Sequence, residues 1–259
     1  MIRPDVVKKD IQTHYDDLGE RARKGLQDLH DPAHLWRLVE GDRPALAYFR
    51  GRKIEAALRL GGFPQRGAVL EVGCGTGDYS FLLARKGYRM TGVDLSSKSI
   101  EAARTKASIL GMVDVSFMVS DAEALSEVPE NSVDGVISFS ALRYVPDVKR
   151  ALLAIRRVLK HNGVAVLDFP NRFCPWFRLL KTHFGVERHI HDQHYSTSEI
   201  VTLMRTAGFA DVAAERILFT TYVLPALLLP VFRTIDWVGE RAPGINHTAG
   251  IIVARGRKA

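Results

Sequence analysis

Cysteine is nearly absent: only Cys74 and Cys174 occur in 259 residues, too few for a disulfide framework or a cysteine-based metal site. Long apolar runs are also missing. No uninterrupted stretch reaches the roughly 20 residues of a membrane-spanning helix. The opening Met1-Ile2-Arg3-Pro4-Asp5 has no apolar signal core, so a cytoplasmic protein is expected. Repeats and low-complexity tracts do not occur. What is present is an ordinary globular mixture, 46% hydrophobic and 25% charged, enough for a full core and most simply one domain with extensions. The net charge of +7 would suit a phosphate backbone, but the basic residues are dispersed, as at Arg21, Arg23 and Lys24 or Arg156, Arg157 and Lys160. Such spacing belongs to solvated helix faces and helix C-termini. No nucleic-acid partner is expected; an acidic substrate or an anionic lipid surface is compatible.

Against this background one segment stands out, Val69-Leu70-Glu71-Val72-Gly73-Cys74-Gly75-Thr76-Gly77. An apolar run ends in an acid and three alternating glycines, the pattern of a buried strand breaking into a loop that lets a ligand lie against the backbone. A pyrophosphate loop relies on helix-terminal amides and avoids a carboxylate, so Glu71 points to a ligand with a cationic or hydroxyl-rich face. The register is not G-x-G-x-x-G either, because Asp78 stands where the third glycine of that motif belongs. A second apolar run, 88–93, ends in Asp94 about twenty residues past the first glycine, the spacing of an acid that binds ribose hydroxyls. A third, 113–119, leads into Ser120-Asp121-Ala122, a fourth, 132–139, holds Asp134 near its start, and a fifth, 163–169, follows the amphipathic segment 147–160. Five strand-helix alternations predict a parallel sheet with helices on both faces.

Taken together these motifs resemble the class I S-adenosylmethionine-dependent methyltransferases over roughly residues 65–255, with the quinone-biosynthesis and natural-product enzymes the nearest group. The resemblance implies a Rossmann-like, doubly wound α/β fold whose seven-stranded, mostly parallel sheet has an antiparallel last strand, with N-terminal helices and an insertion between the sixth and seventh strands. It implies a helical lid or extension over 1–64, a cofactor-binding domain over 65–259, and insertions at 170–197 and 221–247. The implied cofactor is S-adenosylmethionine, held by Tyr15, Glu71, Gly73, Cys74, Gly75, Gly77, Asp94, Leu95, Asp121, Ala122 and Ser138. Among these, the acid after the third strand would meet the adenine amino group, and Tyr15 would close the site from an N-terminal lid. Base methyltransferases of this family carry an Asn/Asp-Pro-Pro-aromatic loop after the fourth strand, where this chain has Ser138-Phe139-Ser140-Ala141-Leu142. The metal-dependent catechol subclass carries an Asp at that place, which Ser138 does not match, so no metal is expected.

Specificity is expected at the insertions. The segment 170–197 carries Trp176, Phe177, His183, His189, His191 and His194, long for a connection and so a candidate lid. His191 or His194 could serve as the general base of an oxygen acceptor, or could simply fix the loop. Arg143 and Tyr144, just past the fourth strand, are candidates to orient substrate. A sixth strand is predicted over 217–223. The proline-broken apolar run 224–237 is compatible with a substrate cap, a dimer contact or an interfacial membrane segment, and the cap is preferred. The expected activity is methyl transfer to a small apolar or ring-bearing acceptor, with oxygen ahead of carbon and nitrogen, by a monomer or homodimer. A cofactor-binding partner without catalysis is the alternative.

Overall fold

The computed structural model describes residues 3–27, 29, 31–175, 191–221 and 225–259. Three helices come first: α1 (Pro4–Gly25), α2 (Pro32–Glu40) and α3 (Pro44–Gly61). Each begins with a proline in its first turn, where a missing N–H removes no helical hydrogen bond. There follow β1 (Ala68–Val72), α4 (Asp78–Ala84), β2 (Arg89–Asp94), α5 (Ser97–Ile109), β3 (Val115–Val119), β4 (Val133–Ser138), α6 (Val148–Val158), β5 (Leu159–Pro170), α7 (Thr197–Thr206), β6 (Phe209–Ile217), α8 (Leu229–Arg241) and β7 (Ile251–Lys258).

The seven strands form one sheet in the order β3-β2-β1-β4-β5-β7-β6. Pairings from β3 through β5 are parallel, whereas β7 runs antiparallel to both β5 and β6. This is the Rossmann-like arrangement, with its antiparallel last strand, that the family resemblance implied. Both faces of the central strands are covered, so neighbouring positions enter different cores. Leu70 and Val72 of β1 join Leu152 and Ile155 of α6 and Ile200 and Met204 of α7. Val69 joins Ile54 and Ala57 of α3 and Leu83 of α4 on the other face. Each fully buried aliphatic side chain of this kind contributes about 1.5–3 kcal/mol by leaving water.

Two elements differ from expectation. The sixth strand lies at Phe209–Ile217 rather than 217–223, and β5 begins at Leu159, four residues early, across an irregularity in its pairing with β4. The first shift has a physical cause. β6 pairs only with β7, so as an edge strand it carries the polar residues Asp211, Glu215 and Arg216, and its weak apolar pattern hides it. The more apolar residues after it leave the sheet at Leu218, which adopts φ 64. There the amides of Phe219 and Thr220 donate to Asp236 of α8 at 2.6 and 3.1 Å.

Helix α1 lies along α5. Gly19 makes this possible, since a Cβ there would come within 2.4 Å of the Ser99 amide nitrogen. Asp16 accepts a hydrogen bond from the Ser96 hydroxyl at 2.7 Å. Toward the β6 edge of the sheet, α8 leaves apolar side chains in solvent, with Leu227 of the preceding turn 90% and Trp237 59% exposed. No helix among the described residues is long and apolar enough to cross a membrane.

Candidate cofactor site

A cavity of about 270 Å³ opens at the carboxyl edge of β1, β2 and β4, where open α/β sheets bind ligands. Its floor is the glycine loop. Gly73 takes φ 72, and a Cβ on it would overlap the Ala141 Cβ at 2.1 Å, so only glycine lets this turn pass under the segment after β4. Gly75, at φ 52, is the opposite case, because a Cβ there would meet nothing within 4 Å. Its bare backbone faces the cavity, and its N–H donates to Asp94 Oδ2 at 2.8 Å.

Three acids line the cavity with that open glycine. Glu71, 1% exposed, accepts the Ser80 hydroxyl at 2.5 Å. Burial pushes its pKa up to about 8, and the hydrogen bond from Ser80 only partly opposes this. Asp94 ends β2 and accepts the Gly75 and Ser96 amides at 2.8 and 2.9 Å. Burial raises its pKa while those amides pull it down. Two amides occupy only half of a carboxylate's roughly four acceptor sites, which leaves room for a pair of hydroxyls. Asp121 follows β3 and receives Lys8 Nζ at 2.6 Å; the same ammonium reaches Glu123 at 2.7 Å. Asp78, by contrast, is neutralised by Arg50 and Lys106 at 2.6 and 2.7 Å.

The roof comes from α1, whose Lys8, Ile11 and Tyr15 share one face and line the cavity. Tyr15 meets Tyr144 with ring centroids 5.7 Å apart, and burial raises the pKa of both phenols. Phe139, Ser140, Ala141 and Tyr79 complete the wall, with the Tyr79 and Phe139 rings 4.8 Å apart.

Tyr15, Glu71, Gly73, Cys74, Gly75, Asp94, Leu95, Asp121, Ala122 and Tyr144 therefore line one space. The remaining predicted residues fall elsewhere. Gly77 sits behind the loop against Phe117 and starts α4. Ser138 is buried and donates to the Val72 carbonyl at 2.8 Å, tying β4 to β1 rather than facing a ligand. Arg143 turns away from the cavity into a buried ion pair with Asp192. His191 lies 3.1 Å from Asp10 of α1, and His194 lies 3.7 Å from Asp192; neither lines the cavity. Trp176, Phe177, His183 and His189 are outside the described residues. The apolar run is no cap either: α8 packs on Phe219 and on Arg52 through Glu240, and none of its residues reaches the cavity.

Residues 70–167 match the family described as "Methyltransferase domain". That segment is similar to a methyltransferase domain. The match runs from β1 through most of β5 and takes in the glycine loop and all three acids. The chain is 34% identical over 159 residues to the ubiquinone biosynthesis O-methyltransferase of Paracidovorax citrulli, covering 60% of this chain and 64% of that protein. It is 29% identical over 200 residues to the S-adenosyl-L-methionine-dependent Diels-Alderase iccD of Talaromyces variabilis, covering 71% and 66%. These matches span just under two thirds of the relatives' own lengths. In fold, the chain is similar to a crystal structure of a SAM-dependent methyltransferase, possible histamine N-methyltransferase, from Thermotoga maritima. That likeness has a TM-score of 0.61 and 22% identity, covering 86% of this chain and 93% of that one.

Proposed function

We propose that the protein transfers the methyl group of S-adenosylmethionine to an oxygen atom of a small, ring-bearing or apolar acceptor. The observation that carries this reading is that Glu71, Asp94 and Asp121 line one cavity together with the bare backbone of Gly75. The residues fit the cofactor. Asp94 has acceptor capacity for two ribose hydroxyls, Asp121 for the adenine amine and Glu71 for the methionine ammonium. The rest of the wall is mostly apolar, as a purine ring requires. The name of the ubiquinone-biosynthesis relative supports an oxygen acceptor.

Bound S-adenosylmethionine supplies an already activated methyl group, so the protein's work is alignment and exclusion of water. Tyr15 and Ile11 of α1 close the roof, and Tyr144 packs against Tyr15 to hold that roof in place. No histidine lines the cavity among the described residues. An acceptor whose oxygen ionises readily in the site is the favoured one.

Titration calorimetry with S-adenosylmethionine and with NADH tests the cofactor, and transfer of labelled methyl to a panel of phenols, carboxylates and amines tests the chemistry. Binding of NADH alone overturns the reading. Cofactor binding without transfer to any acceptor would instead favour a cofactor-dependent cyclase, the activity in the name of the Talaromyces variabilis relative.

A further inference from the structure

Under the cavity wall lies a buried ion pair that the sequence motifs do not announce. Lys53 of α3 is 0% and Asp168 of β5 2% exposed, and their charged atoms are 2.6 Å apart. Lys53 Nζ also donates to the Ser140 hydroxyl at 2.7 Å and sits 4.7 Å from the centre of the Phe49 ring and 5.9 Å from that of Phe139. The other oxygen of Asp168 accepts the Ser140 N–H at 2.6 Å. Ser140 itself is exposed, lines the cavity and holds φ 58, a left-handed conformation uncommon for serine.

Such a pair is not needed for stability, because well-packed apolar residues of similar volume commonly do as well or better. Its geometry serves Ser140. A carboxylate fixes the backbone of this residue, and an ammonium occupies an oxygen lone pair, so the hydroxyl's own proton is left to point into the cavity. Burial depresses the Lys53 pKa, with Asp168 opposing and the nearby charge of Arg143 adding to the depression. The carboxylate and the two aromatic faces favour the cation. Ser140 also adjoins Ala141, which touches the glycine loop at Gly73, and the Tyr79–Phe139 pair beside it offers a ring a stacking surface.

We propose that Ser140, backed by the Lys53–Asp168 pair, receives the oxygen of the methyl acceptor, and that the acceptor is a phenol bound as its phenolate. This rests on the methyl-transfer reading and deepens it. The phenolic proton leaves to solvent on binding. An oxygen lone pair then forms the C–O bond while the C–S bond breaks and its electron pair remains on sulfur, so that the phenolate and sulfonium charges cancel. Ser140 and Lys53 are positioning groups that hold the anion until transfer.

The test uses 4-nitrophenol, whose anion is coloured, with the full-length protein saturated with S-adenosylhomocysteine. Bound to wild type, the probe should ionise roughly tenfold or more readily than in free solution, the effect of a charge-assisted hydrogen bond. Ser140→Ala should remove that shift while the variant still saturates with S-adenosylhomocysteine. Ser140 is exposed, so this variant keeps the fold; Lys53→Met/Asp168→Leu, which removes both charges together, should abolish the shift as well. An unshifted wild-type probe, no probe binding, or an undiminished shift in Ser140→Ala overturns the proposal. Failure of wild type to bind S-adenosylhomocysteine overturns the methyl-transfer reading and this proposal with it.

Discussion

Glu71 should couple cofactor binding to proton release. With a pKa of about 8 in the free protein, about nine in ten molecules carry a proton on this carboxyl at pH 7. A ligand ammonium needs the ionised form. If the bound carboxylate stays ionised, affinity follows the ionised fraction of the free protein, which rises from about 1% at pH 6 to about 9% at pH 7. Binding should therefore tighten about ninefold over that unit, close to the limiting slope of about 1.4 kcal/mol per pH unit. About 0.9 proton should be released per ligand at pH 7. Calorimetry with S-adenosylhomocysteine in phosphate and in Tris reads this directly, because each buffer takes up the released proton with its own heat of protonation. Glu71→Gln should bind more weakly, with no pH slope and the same heat in both buffers. The sign for the ligand-free fold is opposite to that of a salt-bridged acid. Between the ordinary value of 4.5 and about 8, the native state keeps a proton that the unfolded chain has lost. Stability thus falls as pH rises, and the Gln variant should lose that fall. Equal affinity at pH 6 and 7 with buffer-independent heats in the wild type would refute the reasoning.

Asp94→Ala removes the acceptor of the Gly75 and Ser96 amides as well as the expected ribose contact, and should weaken S-adenosylhomocysteine binding by about 1.5–3 kcal/mol in calorimetry. Gly19→Val forces a side chain into the Ser99 backbone. It should cost about 1–3 kcal/mol in α1 docking, seen as faster tryptic cleavage after Lys8 in the native protein. Arg143→Met leaves Asp192 buried without its cation and should lower stability to urea by about 3–5 kcal/mol. Because Arg143 lies outside the cavity, cofactor affinity in that variant should hold.

Much of this site was legible because strand and loop signals are local. The run ending in Glu71 and the glycines, Asp94 at its spacing, and Asp121 after the third run each need only a few neighbouring residues to be recognised, and the sheet brings their ends together. The catalytic candidates Arg143 and Tyr144 part company for a reason equally local. Arg143 and Tyr144 are adjacent in one tight turn, Leu142–Tyr144, yet only Tyr144 lines the cavity, while Arg143 lies over its ring, 5.4 Å from the centroid, and pairs with Asp192. No periodicity encodes which way a turn residue faces. Lys53 and Asp168 are far apart in sequence, on a helix and a strand that read as ordinary core elements, and only the packing of α3 on β5 joins them. Lys8 was missed likewise, since a lysine on a charged helix face carries no sign that it will meet Asp121.

That lysine makes the Asp121 end of the cavity a contest. Lys8 is an intramolecular rival for Asp121, tethered by α1 at an effective concentration that short links put in the millimolar range. A base with an exocyclic amine can displace it by offering Asp121 a donor in exchange. A ring without one leaves the ion pair standing and finds the place taken. Displacement costs Lys8 only part of its bonding, because Glu123 remains 2.7 Å away as a second partner. Discrimination between ligands at this end then lies in what each must evict, as well as in what each can touch.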